Sequence, residues 1–379
     1  MAFFWLLTTV PFLYVLLRVI DPFRNFRWYK VPAVVLLVLA AFKFQILRLF
    51  AGPMFFAPDL PVWVLALSSW MLSSFLFFFA LELAADLVQI AWLILRALFR
   101  AVDGSEMRRD AMVDLALLVA ACVLASWGMC GAKAAPELRS AEVCRPDLPR
   151  ELDRLKIVLL ADLHVDRMST REEVEDVVRR TNALEPDLIV LAGDFVDGRV
   201  DQIGYKLEPL KNLRAQYGVY GIPGNHEYYS GYREWMAFLR TLGIDMLENE
   251  HREPAGDRLV VAGVTDRAAR MRKMEEPDVK KALAGAPEKS FKILLAHQPA
   301  HAREAAEAGA DLQLSGHTHG GMIVGLDRVI AGLNHGYVSG MYDVGKMKLY
   351  VSRGTSLWKG FPIRLGVPSE ITVVTLLRK

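Results

Sequence analysis

Histidine is absent from the first 160 residues of this 379-residue chain; all eight lie beyond them. Ionisable side chains are also sparse across residues 1–130, and the whole chain carries a formal net charge of only +2. No basic stripe interleaved with aromatics occurs, so nucleic acid is not expected as a partner. Cysteine is scarce, with Cys122, Cys130 and Cys144 alone, and no Cys-x-x-Cys pair exists to build a structural zinc site. The spacing of Cys130 and Cys144 leaves open whether they form a disulfide. No internal repeat is visible and the apolar stretches hold few polar residues, which argues against a transporter and for an anchor.

What the chain has in excess is apolar surface: 53% of residues are hydrophobic and the mean hydropathy is +0.24. Ordinary soluble enzymes are less apolar. Residues 3–20, 31–50, 62–84 and 111–128 are long apolar stretches, each near the length that crosses ~30 Å of hydrocarbon. Trp5, Trp28, Tyr29, Trp63, Trp92 and Trp127 sit near their ends, as interfacial aromatics do. The first stretch lacks the basic flank and the small-residue cleavage site of a signal peptide. We therefore expect an all-α bundle of about four transmembrane helices over residues 1–130. A linker at 131–150, marked by Pro136, Pro146 and Pro149, should lead to a globular domain at 151–379.

Loop charges predict the orientation. Arg18, Arg24, Arg27 and Lys30 follow the first stretch, and Arg96, Arg100, Arg108 and Arg109 follow the third, whereas residues 51–60 hold no basic side chain. Basic loops stay in the cytoplasm, so the domain should lie outside it. Neither Gly nor Pro interrupts residues 62–100, which predicts one long helix. Lys43, inside the second stretch, is a functional intramembrane charge, snorkels, or pairs with Glu82 or Asp86.

Five short blocks dominate the remainder: Asp162-Leu163-His164, Gly193-Asp194, Gly224-Asn225-His226-Glu227, Ala296-His297 and Gly316-His317-Thr318-His319. Each follows an apolar run that reads as a strand, at 156–161, 187–192, 217–222, 291–296 and 311–314. Strand-end loops are where a rigid scaffold presents chemistry. Carboxylate, imidazole and amide oxygen together suit Mn²⁺, Zn²⁺ or Fe²⁺. Helical patterns at 171–182, 232–242 and 299–308 alternate with these strands. Later strands at 258–264, 346–351 and 371–377 lack helices between them, which suggests two packed mixed sheets flanked by helices.

The ordered blocks resemble the calcineurin-like metallophosphoesterase family, and within it the membrane-anchored bacterial members, over residues 156–377. That resemblance implies an α/β fold, a four-layer αββα sandwich with the site at one edge of its sheets. It also implies two divalent metal ions bridged by Asp194, the first completed by Asp162, His164 and His319, the second by Asn225, His297 and His317. A hydroxide between the metals would attack phosphorus in line, and His226, held by a neighbouring acid, would act as general acid. Glu227 stands where many members carry Asp. Asp197 stands where the iron(III) purple acid phosphatases carry tyrosine, so a purple site is not expected.

Other residues stay open at this level. Asp166 either orients His164 or His226 or is a solvated loop carboxylate. Gly320 and Gly321 keep the wall beside His319 clear for phosphate, pack a tight turn, or do both. Arg353 and Arg364 contact a substrate phosphate or only the protein, and Leu357, Trp358, Phe361 and Pro362 meet lipid or core. The expected protein is a multi-pass membrane phosphohydrolase with an extracytoplasmic domain. It would act on a phosphomonoester, phosphodiester or pyrophosphate, with lipid-linked substrates included. The alternative is a membrane receptor or scaffold whose metal-binding domain is not catalytic.

Overall fold

A computed structural model of the chain describes residues 2–20, 28, 30–99 and 111–379. It divides into two compact units, Met1–Cys130 with Gly360–Ile363 and Gly131–Lys359 with Arg364–Lys379.

The first unit is helical. It contains α1 (Ala2–Val15), which continues as a π-helical turn to Ile20, then α2 (Lys30–Ala41), α3 (Lys43–Ala51), α4 (Val62–Phe99) and α5 (Ala111–Lys133), whose last turn enters the second unit. Among the described residues, α4 and α5 are long and apolar enough to cross a membrane, and α2 with α3 makes a third candidate if the pair is one bent span. By that measure the expected four crossings are not reached. The second apolar stretch is not one straight helix, because α2 and α3 meet at 71°. Phe42 leaves helical geometry there (φ −101°, ψ 27°). Beyond it Lys43 Nζ donates to Ser69 Oγ at 2.6 Å, and Gln45 Nε2 donates to Thr8 Oγ1 at 3.0 Å. Polar groups buried among apolar chains need such partners, since leaving one unmade costs several kcal/mol. Asp86, a suggested partner of Lys43, instead pairs with Arg18 at 3.1 Å and accepts from Tyr14. The uninterrupted run at 62–99 does form one helix. Arg24, Arg27, Arg100, Arg108 and Arg109, which carry much of the orientation argument, lie outside the described residues.

The second unit begins with β1 (Glu137–Cys144), β2 (Lys156–Leu160), α6 (Arg171–Asn182), β3 (Leu188–Leu191), α7 (Val200–Leu207), β4 (Val219–Gly221), α8 (Asn225–Ser230), α9 (Tyr232–Thr241) and β5 (Asp245–Met246). It continues with β6 (Glu250–Arg252), β7 (Pro254–Asp257), β8 (Leu259–Gly263), α10 (Val279–Leu283), β9 (Phe291–Leu295), α11 (Ala302–Glu307), β10 (Leu312–Ser315), α12 (Asp327–Leu333), β11 (Gly340–Val344), β12 (Met347–Val351) and β13 (Glu370–Leu377). One sheet has the order β1-β13-β2-β3-β4-β5, the other β11-β12-β10-β9-β8-β6. In the first, β2 to β5 run parallel and β13 is antiparallel to β2. In the second, β12, β10, β9 and β8 run parallel between two antiparallel edges.

Side-chain alternation along the strands builds the layers. Ile157 and Leu159 of β2 face Leu259, Val261, Ile293 and Leu312, forming a core between the sheets. Val158 and Leu160 turn the other way and pack with Val174, Val177, Ile203 and Trp235 of α6, α7 and α9. On the far side, Val260, Leu294 and Leu349 pack against Val279, Ala282, Ala302 and Ala305 of α10 and α11. The result is helices, sheet, sheet, helices. Helix α6 starts where it should: Thr170 and Glu173 close a reciprocal capping box, and Val174, Val177, Val178 and Thr181 form its buried face.

The stretch 131–150 is not merely a linker. Residues 137–144 form β1, paired in parallel with β13 from Glu137↔Glu370 to Cys144↔Leu377. This strand was hidden in the sequence because it is a polar edge: Val143 is its one fully buried side chain. Pro136 and Pro146 flank the ladder without interrupting it, as edge prolines do. Cys130 and Cys144 are free thiols.

Candidate metal centre

Every block of the motif set leaves the carboxyl end of a parallel strand, where open α/β sheets place their ligands. Asp162 and His164 follow β2, Asp194 follows β3, and Asn225 opens α8 after β4. His297 follows β9, and His317 and His319 follow β10. The loops continue the sheet ladder past the strands, with Asp162 N donating to Gly193 O and His164 N to Asp194 O, both at 3.0 Å. Across the sheets, His317 N donates to both oxygens of Asp162 at 3.0 and 3.1 Å. His226 N donates to Asp194 Oδ1 at 2.9 Å.

The backbone is strained here. Asp162 (φ 55°), His164 (43°), Asp194 (55°), His317 (72°) and His319 (49°) all occupy the left-handed region. Each such residue costs about 1–2 kcal/mol, so five in one cluster is a large fraction of an ordinary domain's net stability. Strain of this kind persists at functional sites, where surrounding structure over-determines it. Gly193 (φ 87°) and Gly224 lie back to back beneath the cluster. A Cβ on Gly193 would stand 2.6 Å from Gly224 N, and one on Gly224 would stand 2.2 Å from Asp194 Oδ1.

Donor atoms of Asp162, His164 and His319 lie within 4.8 Å of one another, as do those of Asp194, His297 and His317. Asp194 Oδ2 sits between the sets, 3.1 Å from His297 Nε2 and 3.6 Å from His164 Nε2. His317 Nδ1 faces His297 Nε2 at 3.2 Å. Among the described residues, Asn225 Oδ1, His164 Nε2 and His319 Nδ1 are buried with no hydrogen-bond partner. A buried orphan polar atom costs about 1–3 kcal/mol. Lone pairs of neutral imidazole and amide oxygen, gathered around carboxylates, are what a divalent cation needs. Burial pushes His317 down to about 3 and holds His319 well below its usual range, which keeps both in the ligating form.

Two acids not assigned these contacts from sequence organise the cluster. Asp197 Oδ2 lies 2.9 Å from His164 Nδ1, and its Oδ1 bonds His226 Nδ1. One carboxylate therefore orients both rings, leaving each Nε2 toward the site. Burial opposes the charge of Asp197, and the imidazoles of His226 and His164 outweigh it, holding the carboxyl well below its usual range. His226 is pushed up to about 9, burial being outweighed first by Asp197 and then by Asp194. Glu227 accepts from the backbone N–H groups of Gly224 (2.7 Å), Phe195 (2.8 Å), Asp194 (3.0 Å) and Val196 (3.3 Å), tying two ligand loops together. The signal for Asp197 was its place three residues beyond Asp194 in the same strand-end loop.

Several open residues find other tasks. Asp166 does not orient a histidine; its Oδ1 accepts from the N–H groups of Met168 and Ser169 in a local turn. Gly320 and Gly321 pack tightly, since a Cβ on Gly320 would meet Arg353 and one on Gly321 would meet Asp327. Arg364 is buried and spends its guanidinium on the carbonyls of His319, Val367, Arg353 and Ser356, bracing the loop of His319. Arg353 lies 3.8 Å from Glu370. Leu357 is core, only 1% exposed. His226 stands at the open edge of the cluster, edge-on to His164 (4.6 Å between centroids) and beside Tyr229 and Trp358.

Fold and donor set together are those of a two-sheet αββα domain with a cluster of candidate metal ligands at the ends of its strands. The chain belongs to the calcineurin-like phosphoesterase family, whose model matches residues 155–321. It is 38% identical over 248 residues to a metallophosphoesterase of Helicobacter pylori, covering 65% of each chain. It is 33% identical over 268 residues to one of Campylobacter jejuni, covering 70% of each. A transmembrane protein with metallophosphoesterase domain from Bos taurus is 38% identical over 293 residues, covering 73% of this chain and 65% of that one. The matches thus span just under two thirds of the Helicobacter and Bos taurus proteins.

Proposed function

We propose that the cluster binds two divalent cations and hydrolyses a phosphomonoester, phosphodiester or pyrophosphate. The observation that carries this is the set of three orphaned donors, Asn225 Oδ1, His164 Nε2 and His319 Nδ1, buried around two carboxylates. Asp162, His164 and His319 would hold one ion and Asn225, His297 and His317 the other, with Asp194 shared. Mn²⁺, Zn²⁺ and Fe²⁺ all suit these donors. When bound, such ions supply Lewis acidity and a water acidic enough to act as nucleophile near neutral pH.

The chain's own residues do the rest. Asp197 keeps His226 oriented and charged, so its Nε2–H can be delivered to the leaving oxygen. His297 Nδ1 donates to Ala192 O at 2.8 Å, which turns its Nε2 toward Asp194. Glu227 and Arg364 hold the loops rigid. The full-length protein in detergent, stripped with a chelator, should lose nitrophenyl phosphate hydrolysis and regain it with at least one of Mn²⁺, Zn²⁺ or Fe²⁺. Activity indifferent to chelation would overturn the metal-dependent reading, and none with any of the three ions on the mono- or bis-ester would favour the non-catalytic scaffold.

We further propose that α1, the bent α2–α3 pair, α4 and α5 each cross the cell membrane and leave the second unit outside the cytoplasm. Translocating a short loop rich in arginine is costly, whereas residues 51–60 carry no such charge. Alkaline phosphatase fused near Ala57 or after residue 135 should be active, and fused near Ser105 inactive. A silent fusion after 135 would place the site in the cytoplasm. Anchoring raises the local concentration of substrates in or near the bilayer, so lipid-linked phosphate esters belong to the expected substrate class.

A further inference from the structure

The loop that carries His317 and His319 runs directly into an apolar projection. Among the large apolar side chains exposed in the second unit, Leu138, Tyr205 and Met271 stand apart in the sequence. Val324 (69% exposed), Leu326 (44%), Val329 (61%) and Leu333 (73%) instead fall within ten residues. Leu326, Val329, Ile330 and Leu333 recur at the spacing of one helical face, and Arg328 lies on the opposite side of α12. No residue of α12 is buried. Its root is nonetheless fixed: the backbone of Asp327 packs on Gly321, and Val324 N donates to Leu365 O at 3.0 Å. An exposed apolar cluster on a rigid base marks a contact surface.

The chain itself indicates the partner. It carries α4 and α5, long and apolar enough to cross a bilayer, and only residues 134–136 separate α5 from β1. A lipid surface is therefore always within tether reach of the second unit. We propose that residues 324–333 form a lipid-contacting surface, seated in the headgroup–acyl boundary of the bilayer that carries the chain, beside the loop of His317 and His319. This rests on the membrane-anchored phosphoesterase reading and narrows it. The favoured substrates are amphiphilic phosphate esters, whose head reaches the cluster while the tail stays in lipid. The apolar loop 357–362, singled out in the sequence, is less exposed, with Leu357 and Pro362 buried and Trp358 and Phe361 half-buried.

Spin labels test the contact without depending on hydrolysis. Cys122, Cys130 and Cys144 are replaced by Ala in the full chain, and labels are placed by Val329→Cys, Leu333→Cys, Arg328→Cys and Lys289→Cys. The protein is reconstituted in vesicles of phosphatidylcholine and phosphatidylglycerol. At 329 and 333 the ratio of collisions with oxygen to collisions with a water-soluble nickel chelate should exceed that at Lys289 by ~3-fold or more, as for a face sunk ~5–10 Å into the interface. At 328 the ratio should be lower than at 329. Ratios at 329 and 333 equal to that at 289 would overturn the proposal. Labels there shielded from both reagents would overturn it too, and would indicate a protein cover such as a second copy. Absence of nitrophenyl phosphate hydrolysis by the unsubstituted chain, with the lipid signature intact, would instead count against the phosphoesterase reading alone.

Discussion

Asp194→Asn is expected to abolish hydrolysis. The substitution keeps the shape of the side chain, and Oδ1 can still accept from His226 N, as it does at 2.9 Å. What disappears is the negative charge at the centre of the cluster, 3.1 Å from His297 Nε2 and 3.6 Å from His164 Nε2. A neutral amide is a poor bridge between two cations, and ion pairing there stabilises the transition state by several kcal/mol. At 1.36 kcal/mol per tenfold, a loss of about 4 kcal/mol lowers turnover by ~10³-fold. Metal content, measured on protein purified without chelators, should fall in parallel. Activity within tenfold of the parent would remove Asp194 from the shared position.

His226→Ala should fail in another way. His226 lies outside both proposed ligand sets, although its ring is also grouped with His164 and Asp194 within ligand distance, and it stands at the open edge of the cluster on Asp197. Both ions should therefore stay bound. Turnover of alkyl phosphates, whose leaving oxygen needs a proton, should drop by ~10²-fold or more. Nitrophenyl phosphate should suffer less, because nitrophenolate leaves without protonation. Equal losses on both substrates would eliminate proton donation as the role of His226, and loss of metal would make it a ligand.

These two tests concern residues legible from sequence, whereas the contacts that organise them were not. The five blocks were visible because a metal site concentrates rare residue types after short apolar runs, and the observed strands end within a residue or two of the expected positions. The helix of 171–182 was visible because its capping box and buried face are local patterns. Strand β1 was not, because an edge strand with one buried side chain leaves no hydrophobic signature.

By itself, then, the sequence pointed to the family, the two-sheet class, the apolar amino-terminal helices and the residue blocks that the fold gathers into one cluster. The helices and the blocks follow from local composition and spacing, and the family and its two-sheet class from the resemblance that the ordered blocks carry. Only the tertiary structure decided that Asp197, not Asp166, bridges His164 and His226, and that Glu227 pins the loops after β3 and β4. It also decided that Arg364 braces the loop of His319, and that Val324, Leu326, Val329 and Leu333 stand exposed together while Leu357 is core. The physical reason is that a carboxylate or a guanidinium takes its role from what folding brings beside it, which lies 29 to 45 residues away for Asp197, for Glu227 at the loop after β3 and for Arg364 at His319.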